Sequence, residues 1–344
     1  MGLNKSFIMT VAWVFPGQGS QKIGMANKVI DLPNAKFRFN YASEVFERNL
    51  FEICELNSDK KNLSDDLNNT KNTQICLFLV ESVLLDSLKE NGYKPTYIAG
   101  HSLGEITALY CADVLSFEDC VQLIKVRSGL MADAAKGSMA ALISFDRDQL
   151  DLLVEEIDDL VIANDNSSSQ VVLSGSEKAL DNISKRIKAK RFLKLNVSGA
   201  FHSPFMKESS FQFSKYLDTL EFNKPSMPVI SNSHPSLCND PNDLKVRFKN
   251  QMCNGVRWRQ TMDLMKENSI IQMVEIGPSN VLGGLGKRHL KDVPLLKRRV
   301  AKNVYPQSLN SGKRNVKFQT FSPPFYSGKD SDGEVLLRDS RCVT

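Results

Sequence analysis

The sequence lacks any apolar run long enough to cross a membrane, since a transmembrane helix needs about 20 consecutive apolar residues. It also lacks the pattern of a secretory signal peptide, because the apolar stretch after Lys5 is short and ends at Pro16. We therefore expect no membrane partner. The expected location is the cytoplasm, or an organelle stroma if the source is eukaryotic, although the sequence carries no transit-peptide pattern.

Metal-ligand and disulfide patterns are absent as well. The seven cysteines are scattered and form no Cys-x-x-Cys pair; they are Cys54, Cys76, Cys111, Cys120, Cys238, Cys253 and Cys342. The four histidines have no metal-ligand spacing either; they are His101, His202, His234 and His289. This usage is typical of a reducing compartment, and we predict no metal.

A basic excess over the body of the chain is also missing. The formal net charge is +5, and the segment from Lys291 onward alone holds eleven Lys/Arg and five Asp/Glu. The residues before it are therefore close to neutral in sum. Because nucleic-acid binding requires a basic surface on the folded body, we predict no nucleic-acid partner.

The sequence does contain the pattern of an α/β protein. Thr10–Phe15 is typical of a buried strand, which Pro16 ends, and helical patterns follow through Leu88. A second short apolar run, Tyr97–Ala99, leads through a glycine turn into a helix predicted over Ile106–Leu115. Strand, tight turn and helix in this order predict an α/β sheet.

A smaller unit is predicted between residues 137 and 202. Its pattern has the order β-α-β-β-α-β of a ferredoxin-like fold. The predicted elements are strands at Met139–Phe145, Leu160–Ala163, Gln170–Ser174 and Phe192–Val197, and helices at Asp148–Ile157 and Glu177–Lys188. We predict an α/β chain whose large, α/β-hydrolase-like subdomain with a parallel sheet, residues 10–136 and 203–292, receives this ferredoxin-like subdomain as an insertion.

The regular pattern fails beyond about Val293. Serine, lysine, arginine, proline and glycine dominate the segment from Lys297 to Lys329, with no sustained periodicity. This composition favours a basic, disordered tail over residues 293–344. A C-terminus that is not the ancestral one, for instance after a frameshift, is the alternative.

The segment Gly100–Gly104 has the pattern G-x-S-x-G and lies between a predicted strand and a predicted helix. Glycines at these positions permit a sharp turn that exposes the Ser102 hydroxyl at the end of the strand. The following helix N-terminus offers free N–H groups to a developing oxyanion. The pattern predicts a nucleophilic serine, with a merely structural turn as the alternative.

A serine of ordinary pKa needs a base to act as a nucleophile. His101 adjoins Ser102, but neighbours in a tight turn usually point apart. His202 follows a predicted strand directly, and a histidine at a strand end can reach across a cleft. On the residues alone, a structural histidine hydrogen-bonded within the core is the favoured interpretation of His202.

Five blocks of the sequence resemble the motifs of malonyl-CoA:acyl carrier protein transacylases. They occur in the order of that family and cover roughly residues 10 to 292. The blocks are Phe15–Gln21 (FPGQGSQ), Gly100–Glu105 (GHSLGE), Ala200–Pro204 (AFHSP), Gln251–Trp258 (QMCNGVRW) and Glu275–Pro278 (EIGP). Five ordered blocks make a coincidence improbable.

The resemblance implies a catalytic role for four residues. Ser102 would be the acylated nucleophile and His202 its base. The backbone N–H groups of Gln18 and Leu103 would form the oxyanion hole. The family orients its histidine with a backbone carbonyl near Arg257 rather than with an acidic third residue.

The resemblance also implies the residues that hold the substrate. Arg127 falls where the family places the arginine that binds the malonyl carboxylate, and a guanidinium can grip a carboxylate with two parallel hydrogen bonds. Phe201 corresponds to the malonyl-selecting version of its motif, in which bulk near the α-carbon disfavours methylmalonyl. Asn164 and Asn166 match asparagines near the family's cleft.

Two positions depart from the family pattern. Ser168 and Gly255 stand where the family usually has proline. Gly255 lies close to the segment that supports the histidine. A glycine at this place would loosen the segment and weaken the support of His202.

The resemblance implies a two-step ping-pong reaction. Ser102 would take a malonyl group from malonyl-CoA and pass it to the phosphopantetheine thiol of an acyl carrier protein, supplying fatty-acid elongation. No bound cofactor is implied, and CoA is the first product. The acyltransferases of polyketide synthesis are a narrower alternative, and we expect a monomer.

Carrier proteins of this pathway are typically acidic, so a basic cluster on the predicted small subdomain is a candidate docking surface. The cluster consists of Lys185, Arg186, Lys188, Lys190, Arg191 and Lys194. A solvated helix face is an equally good interpretation.

Two other functions stay open on the residues. A serine esterase or thioesterase would share the elbow, but it requires an acidic residue between serine and histidine in the chain. An inactive relative that only binds carrier protein is the other alternative. The Gln18 block and Arg127 favour transfer over hydrolysis, and the intact Ser102 and His202 disfavour the inactive relative.

Overall fold

The computed structural model describes residues 10–55, 66–134, 136–197 and 199–290, together with the backbone of 299–303. Within these residues the strands form two sheets, one largely parallel and one antiparallel. None of the helices in this part of the chain is long and apolar enough to span a bilayer. The predicted α/β class, with a parallel sheet and a separate ferredoxin-like unit, is confirmed.

The first sheet contains the strands β1 (Val11–Phe15), β2 (Tyr97–Gly100), β7 (Val229–Ile230), β8 (Leu237–Cys238), β9 (Gln272–Glu275) and β10 (Arg299–Asn303). Their spatial order is β10-β9-β1-β2-β7-β8. All neighbours are parallel except β7 and β8. β1 and β2 lie at the centre and are almost wholly buried, which explains why both are continuous apolar runs.

The helices of the described residues are α1 (Ala35–Phe46), α2 (Leu50–Glu55), α3 (Thr70–Glu90), α4 (Gly104–Cys111), α5 (Phe117–Asp133), α6 (Arg147–Glu156), α7 (Glu177–Arg186), α8 (Lys207–Thr219), α9 (Pro241–Lys249), α10 (Trp258–Glu267) and α11 (Val281–His289). α3 is buried along most of its length, which agrees with its continuous apolar stretch. It packs against α5, so polar residues on the facing sides of these two helices meet inside the protein.

The second sheet contains β3 (Ser138–Phe145), β4 (Leu160–Ser167), β5 (Gln170–Gly175) and β6 (Ala189–Lys194) in the order β4-β5-β3-β6. All its pairs are antiparallel, and it encloses its own core with α6 and α7. The side chains of Asp146 and Ser176 cap these helices by accepting from the backbone N–H three residues on. The subdomain boundaries at residues 137 and 202 stay a prediction.

The helix that follows the G-x-S-x-G turn is shorter than predicted. It ends at Cys111 rather than Leu115. Asp113 adopts a φ of 61°, and the Val114 N–H turns back to the carbonyl of Leu109. This left-handed termination satisfies the last free carbonyls of the helix, and no glycine marks it in the sequence.

Other predicted bounds also differ from the structure. β4 continues to Ser167 instead of ending at Ala163. β6 covers residues 189–194 instead of 192–197, because it is an edge strand whose exposed lysines and arginine hide its start from a search for apolar runs. In the predicted tail, Arg299–Asn303 forms β10 and pairs with β9. The other residues of that tail, 293–298 and 304–344, lie outside the described residues.

Candidate active site

Ser102 lies in a sharp turn between β2 and α4, with a φ of 53° in the left-handed region. The turn packs tightly against the end of β1, so that its two glycines are required. A Cβ at Gly104 would lie 2.0 Å from the Phe15 carbonyl oxygen, and one at Gly100 would lie 1.9 Å from the Gly104 carbonyl carbon. This arrangement fixes the serine at the carboxyl end of the central strands.

The hydroxyl of Ser102 meets the imidazole of His202, a hundred residues further along the chain. The Ser102 Oγ lies 2.8 Å from His202 Nε2. The backbone of His202 has a φ of 55°, and only 4% of the residue is exposed. Such backbone strain persists only where the surroundings hold it, and it is found preferentially at functional sites.

The other ring nitrogen of His202 faces backbone carbonyls. Nδ1 lies 3.0 Å from the Gln251 carbonyl oxygen and 3.2 Å from that of Asn254. Because carbonyls only accept, Nδ1 carries the proton, and the lone pair of Nε2 faces the serine. Among the described residues no carboxylate bonds to this histidine, which removes the acidic partner that a hydrolase triad would require.

Burial, and next to it the nearby charge of Arg127, lower the pKa of His202 to about 3. The histidine is therefore neutral at neutral pH and free to accept a proton. His101 also has a lowered pKa because it is buried, but its ring is engaged elsewhere. Its Nε2 lies 2.9 Å from Asn166 Oδ1, and its ring packs edge-on against Trp258.

We expect the neutral, buried His202 to make the protein less stable in mild acid. Its pKa in the folded protein lies below the ordinary 6.5, so below pH 6.5 the unfolded chain binds a proton that the folded protein does not. The contribution of His202 to the free energy of unfolding is complete above pH 6.5. It decreases by about 1 kcal/mol between pH 6.5 and 5.5.

Urea unfolding at these two pH values measures the effect. The wild type is compared with a His202→Gln variant, which retains a polar side chain but cannot titrate. The wild type should lose about 1 kcal/mol more stability than the variant over this interval. Equal losses would contradict a neutral histidine in the folded state.

Two backbone N–H groups lie near the serine, one in the loop after β1 and one in the residue that follows Ser102. Gln18 and Leu103 both line the cavity, and neither N–H donates to another residue in the described part of the chain. The loops that carry them are in contact, because a Cβ at Gly17 would lie 2.4 Å from the His101 carbonyl oxygen and 3.5 Å from the Leu103 nitrogen. Free N–H groups in this position suit an oxyanion.

Asn232 fixes the serine turn from the opposite side, and the sequence did not point to it. Its Oδ1 accepts from the Ser102 N–H at 2.6 Å, and its Nδ2 donates to the Gly100 carbonyl. The residue follows β7, the neighbour of β2. A polar residue just beyond a central strand is the only local signal, and it occurs too widely to identify a site.

Arg127 reaches the serine from α5 and is 1% exposed. Its Nη2 lies 3.1 Å from Ser102 Oγ and 2.9 Å from Gln251 Oε1, and its Nη1 lies 2.7 Å from Gln74 Oε1. Burial lowers the pKa of Arg127 to about 10, which leaves it charged at neutral pH. A buried cation beside the nucleophile can bind an anionic group of a substrate.

Gln251 connects this arginine to the rest of the site. Its Nε2 donates to the Ser102 carbonyl at 2.8 Å and to Glu105 Oε2 at 2.7 Å. Burial raises the pKa of Glu105 to about 7, although its hydrogen bonds oppose that rise. Gln251 and Glu105 belong to motif blocks of the sequence, but no role was predicted for either side chain.

All eight residues singled out by the sequence line one cavity of about 300 Å³. They are Gln18, Ser102, Leu103, Arg127, Asn164, Asn166, Phe201 and His202. Asn164 and Asn166 enter from β4 of the second sheet, so the cavity lies between the two sheets. Its remaining wall is largely apolar and includes Met131, Met139 and Val172. Such a wall limits the access of water to the serine.

The two departures from the family pattern have different surroundings. Ser168 is exposed in the turn between β4 and β5. Gly255 lies so close to β4 that a Cβ there would be 2.5 Å from the Ile162 carbonyl oxygen. Next to it, the Val256 N–H donates to Ala163, and Val256 accepts from Asp165. The glycine thus permits a close backbone contact with β4, which holds the segment that supports His202 in place. The sequence had predicted a looser segment.

Comparisons with known proteins show which family the sequence matches. A model of the acyl transferase domain matches residues 12–320 of the chain. The malonyl CoA-acyl carrier protein transacylase of Synechocystis sp. is 42% identical over 287 residues, which cover 83% of this chain and 96% of that protein. The protein of the same name from Bacillus subtilis is 35% identical over 289 residues, covering 81% of this chain and 90% of the relative.

Solved structures give the same picture. The crystal structure of the Synechocystis malonyl-CoA:ACP transacylase has a TM-score of 0.80 at 41% identity, with 86% of this chain and 97% of that chain covered. A type II PKS acyl-carrier protein in complex with its malonyl-transacylase contains a chain with a TM-score of 0.75 at 32% identity, covering 82% of this chain and 93% of that one. The similarity therefore extends over most of the sequence.

Proposed function

The chain belongs to the acyl transferase family of malonyl-CoA:acyl carrier protein transacylases, and from this premise we propose how it moves a malonyl group. It transfers malonyl from malonyl-CoA to the phosphopantetheine thiol of an acyl carrier protein, through a malonyl ester of Ser102. The observation that carries the assignment of residues is the double contact of Ser102 Oγ, 2.8 Å from His202 Nε2 and 3.1 Å from Arg127 Nη2. This double contact supports the proposal, because a histidine that can act as a base and an arginine that can bind an anion both reach the hydroxyl of Ser102.

In the first step, Ser102 Oγ attacks the thioester carbonyl of malonyl-CoA while His202 Nε2 takes the hydroxyl proton. The carbonyl oxygen becomes negative and accepts from the backbone N–H groups of Gln18 and Leu103. The tetrahedral intermediate collapses when the C–S bond breaks. His202 returns the proton to the sulfur, so CoA leaves as the thiol and the serine keeps the malonyl group.

In the second step a thiol attacks, whereas in the first step a thiol leaves. The phosphopantetheine thiol gives its proton to His202 Nε2 and attacks the malonyl-serine ester. The C–O bond to Ser102 breaks, and the serine oxygen recovers the proton. One thioester replaces another, so the overall free-energy change is close to zero and no cofactor is needed. The site must instead protect the malonyl-serine ester from water.

Arg127 holds the malonyl carboxylate during both steps. Its charge is buried and its hydrogen-bond partners are neutral, while the nearest carboxylate, Glu105, acts on it only across Gln251. The substrate therefore supplies the anion that contacts the guanidinium directly. Phe201 lines the same cavity and restricts the space beside the acyl α-carbon, which disfavours a methyl branch there.

Intact-protein mass spectrometry after brief mixing with malonyl-CoA tests the function. The wild type should gain the mass of one malonyl group, and a holo acyl carrier protein should remove that group and become malonylated. Release of the adduct as free malonate, with no gain on the carrier protein, would indicate a thioesterase instead. No adduct at all would indicate an inactive relative.

We propose the basic edge strand of the second sheet as the surface that attracts the acidic carrier protein. Within the basic cluster, Arg186 already pairs with Glu156, and Lys194 pairs with Asp181. Lys190 and Arg191 are exposed on β6 and have no ion-pair partner among the described residues. Unpaired exposed charges are free to interact with a partner at long range.

Reversing the two unpaired charges of β6 should weaken the carrier protein as a substrate. We expect Lys190→Glu/Arg191→Glu to raise the KM for the carrier protein about tenfold at low salt, with the KM for malonyl-CoA unchanged. The matched control is Lys28→Glu/Lys36→Glu, which changes the net charge equally at exposed positions outside the second sheet. An equal rise in both variants would indicate a general charge effect rather than a docking surface.

A further inference from the structure

The buried guanidinium of Arg127 is held by neutral groups. Its Nη1 donates to Gln74 Oε1, and its Nη2 donates to Gln251 Oε1 and Ser102 Oγ. No carboxylate lies within ion-pair distance of it among the described residues. Glu105 comes nearest in the network, but Gln251 stands between the two and contacts both. Buried charges are usually paired with a countercharge, so this arrangement calls for an explanation.

The orientation of each amide is fixed by its other contact. Gln74 is 1% exposed on α3, and its Nε2 donates to the Met131 sulfur at 3.3 Å. Met131 lies one helical turn beyond Arg127 on α5. A thioether accepts but cannot donate, so the amide must present its oxygen to the arginine. The Nε2 of Gln251 likewise faces only acceptors, the Ser102 carbonyl and Glu105.

Two oriented amides therefore position the guanidinium without cancelling its charge. A glutamate in place of Gln74 would make the same hydrogen bond to Nη1, since its carboxylate has almost the same shape. It would also supply the countercharge, and a carboxylate of the substrate would then meet a cation already paired. A neutral acyl group does not bind to the guanidinium, so its transfer would change only through the smaller influence of that charge on His202.

We propose that Gln74 is a specificity-determining residue, and that the neutrality of its amide sets the preference for malonyl over an uncharged acyl group. Gln74 acts through Arg127, as a positioning residue that leaves the arginine's charge available. This inference rests on the proposed function and adds to it the reason why the malonyl-binding arginine has amide rather than carboxylate neighbours.

The experiment compares acylation of the wild type and a Gln74→Glu variant by malonyl-CoA and by acetyl-CoA. The measured quantity is the ratio of the two kcat/KM values. The substitution should lower that ratio about 100-fold, mainly through the KM for malonyl-CoA, while acetyl transfer changes less than about threefold. If Gln74 had only a structural role, the substitution would lower kcat/KM for malonyl-CoA and for acetyl-CoA by similar factors. That result would overturn the proposal.

Gln170 provides a matched control. It lines the same cavity from β5 but makes no hydrogen bond with Arg127 among the described residues. Gln170→Glu adds the same charge to the cavity, and the ratio should fall less than about fivefold. An equal fall in both glutamate variants would mean that any negative charge in the cavity suffices, and Gln74 would then have no special role.

A second variant keeps the test decisive if a buried glutamate disturbs folding. Gln74→Leu removes the hydrogen bond but leaves Arg127 without a countercharge, so the ratio should stay within about tenfold of the wild type. A loss of selectivity as large as that of the glutamate variant would show that the hydrogen bond, not neutrality, matters. A wild type that takes no malonyl would contradict the proposed function itself, whereas a selective wild type with unaltered variants would contradict only this inference.

Discussion

Replacement of Ser102 by alanine is expected to remove the malonyl adduct completely and to lower transfer to the carrier protein by about 10⁴-fold or more. The hydroxyl oxygen is the atom that forms the ester in both steps of the proposed reaction. His202 and the two oxyanion donors remain in the variant, but they have no nucleophile to assist. The measurement is intact-protein mass spectrometry together with the rate of malonyl transfer.

The loss in this variant can be assigned to chemistry because the turn is held by its backbone. The Ser102 N–H is bound by Asn232, and the Ser102 carbonyl accepts from Gln251. Neither bond involves the hydroxyl, so the alanine variant should unfold close to the temperature of the wild type. A malonyl adduct that persisted on the variant would place the nucleophile elsewhere, and peptide mapping of that adduct would identify it.

The serine turn could be predicted because its cause is local. Gly100 and Gly104 are required by contacts within a few residues and with the adjacent end of β1. Pattern and structure therefore report the same steric constraint. The helix after the turn was predicted too long because its end at Cys111 depends on a left-handed aspartate, which no glycine or proline announces.

The partners of the serine could not be derived in the same way. His202 and Arg127 come from segments 100 and 25 residues away, and only packing brings their side chains to one oxygen. On residue type alone, His202 could be a hydrogen-bonded structural histidine and Arg127 a solvated residue on a helix surface. The family resemblance supplied these two positions, but it gave no role to Asn232 or Gln74, whose contacts follow from the pairing of β7 with β2 and of α3 with α5.

The electrostatics of the site couple the substrate to the base. Burial is the main reason for the low pKa of His202, and the positive charge of Arg127 is the next. The carbonyl groups at Nδ1 offset this only in part, because they carry no full negative charge. When a malonyl carboxylate neutralises Arg127, the histidine becomes a stronger base. In the proposed reaction, the anion that binds to Arg127 would thus also assist proton transfer.

Arg127→Ala is accordingly expected to lower malonyl transfer by roughly 30-fold to several thousand-fold, corresponding to about 2–5 kcal/mol for the unpaired substrate carboxylate. Acetyl transfer should change far less. The measurement is kcat/KM for malonyl-CoA and acetyl-CoA in the wild type and the variant. An Arg127→Lys variant serves as the matched control, since it keeps the charge but cannot form two parallel hydrogen bonds to a carboxylate. Its kcat/KM for malonyl-CoA should lie between the values of the wild type and the alanine variant.

The pH dependence of acetyl transfer separates this explanation from simple damage to the site. Without the charge of Arg127, the pKa of His202 should rise towards its ordinary value, because the second-largest of the causes that lower it is gone. The acidic limb of the acetyl-transfer profile should therefore move to higher pH in the alanine variant and remain near its wild-type position in the lysine variant. An equal loss of malonyl and acetyl transfer, with an unmoved profile, would mean that Arg127 only maintains the structure of the cavity. A selective loss with a shifted profile would establish that one buried charge both chooses the acyl group and tunes the base that activates the serine.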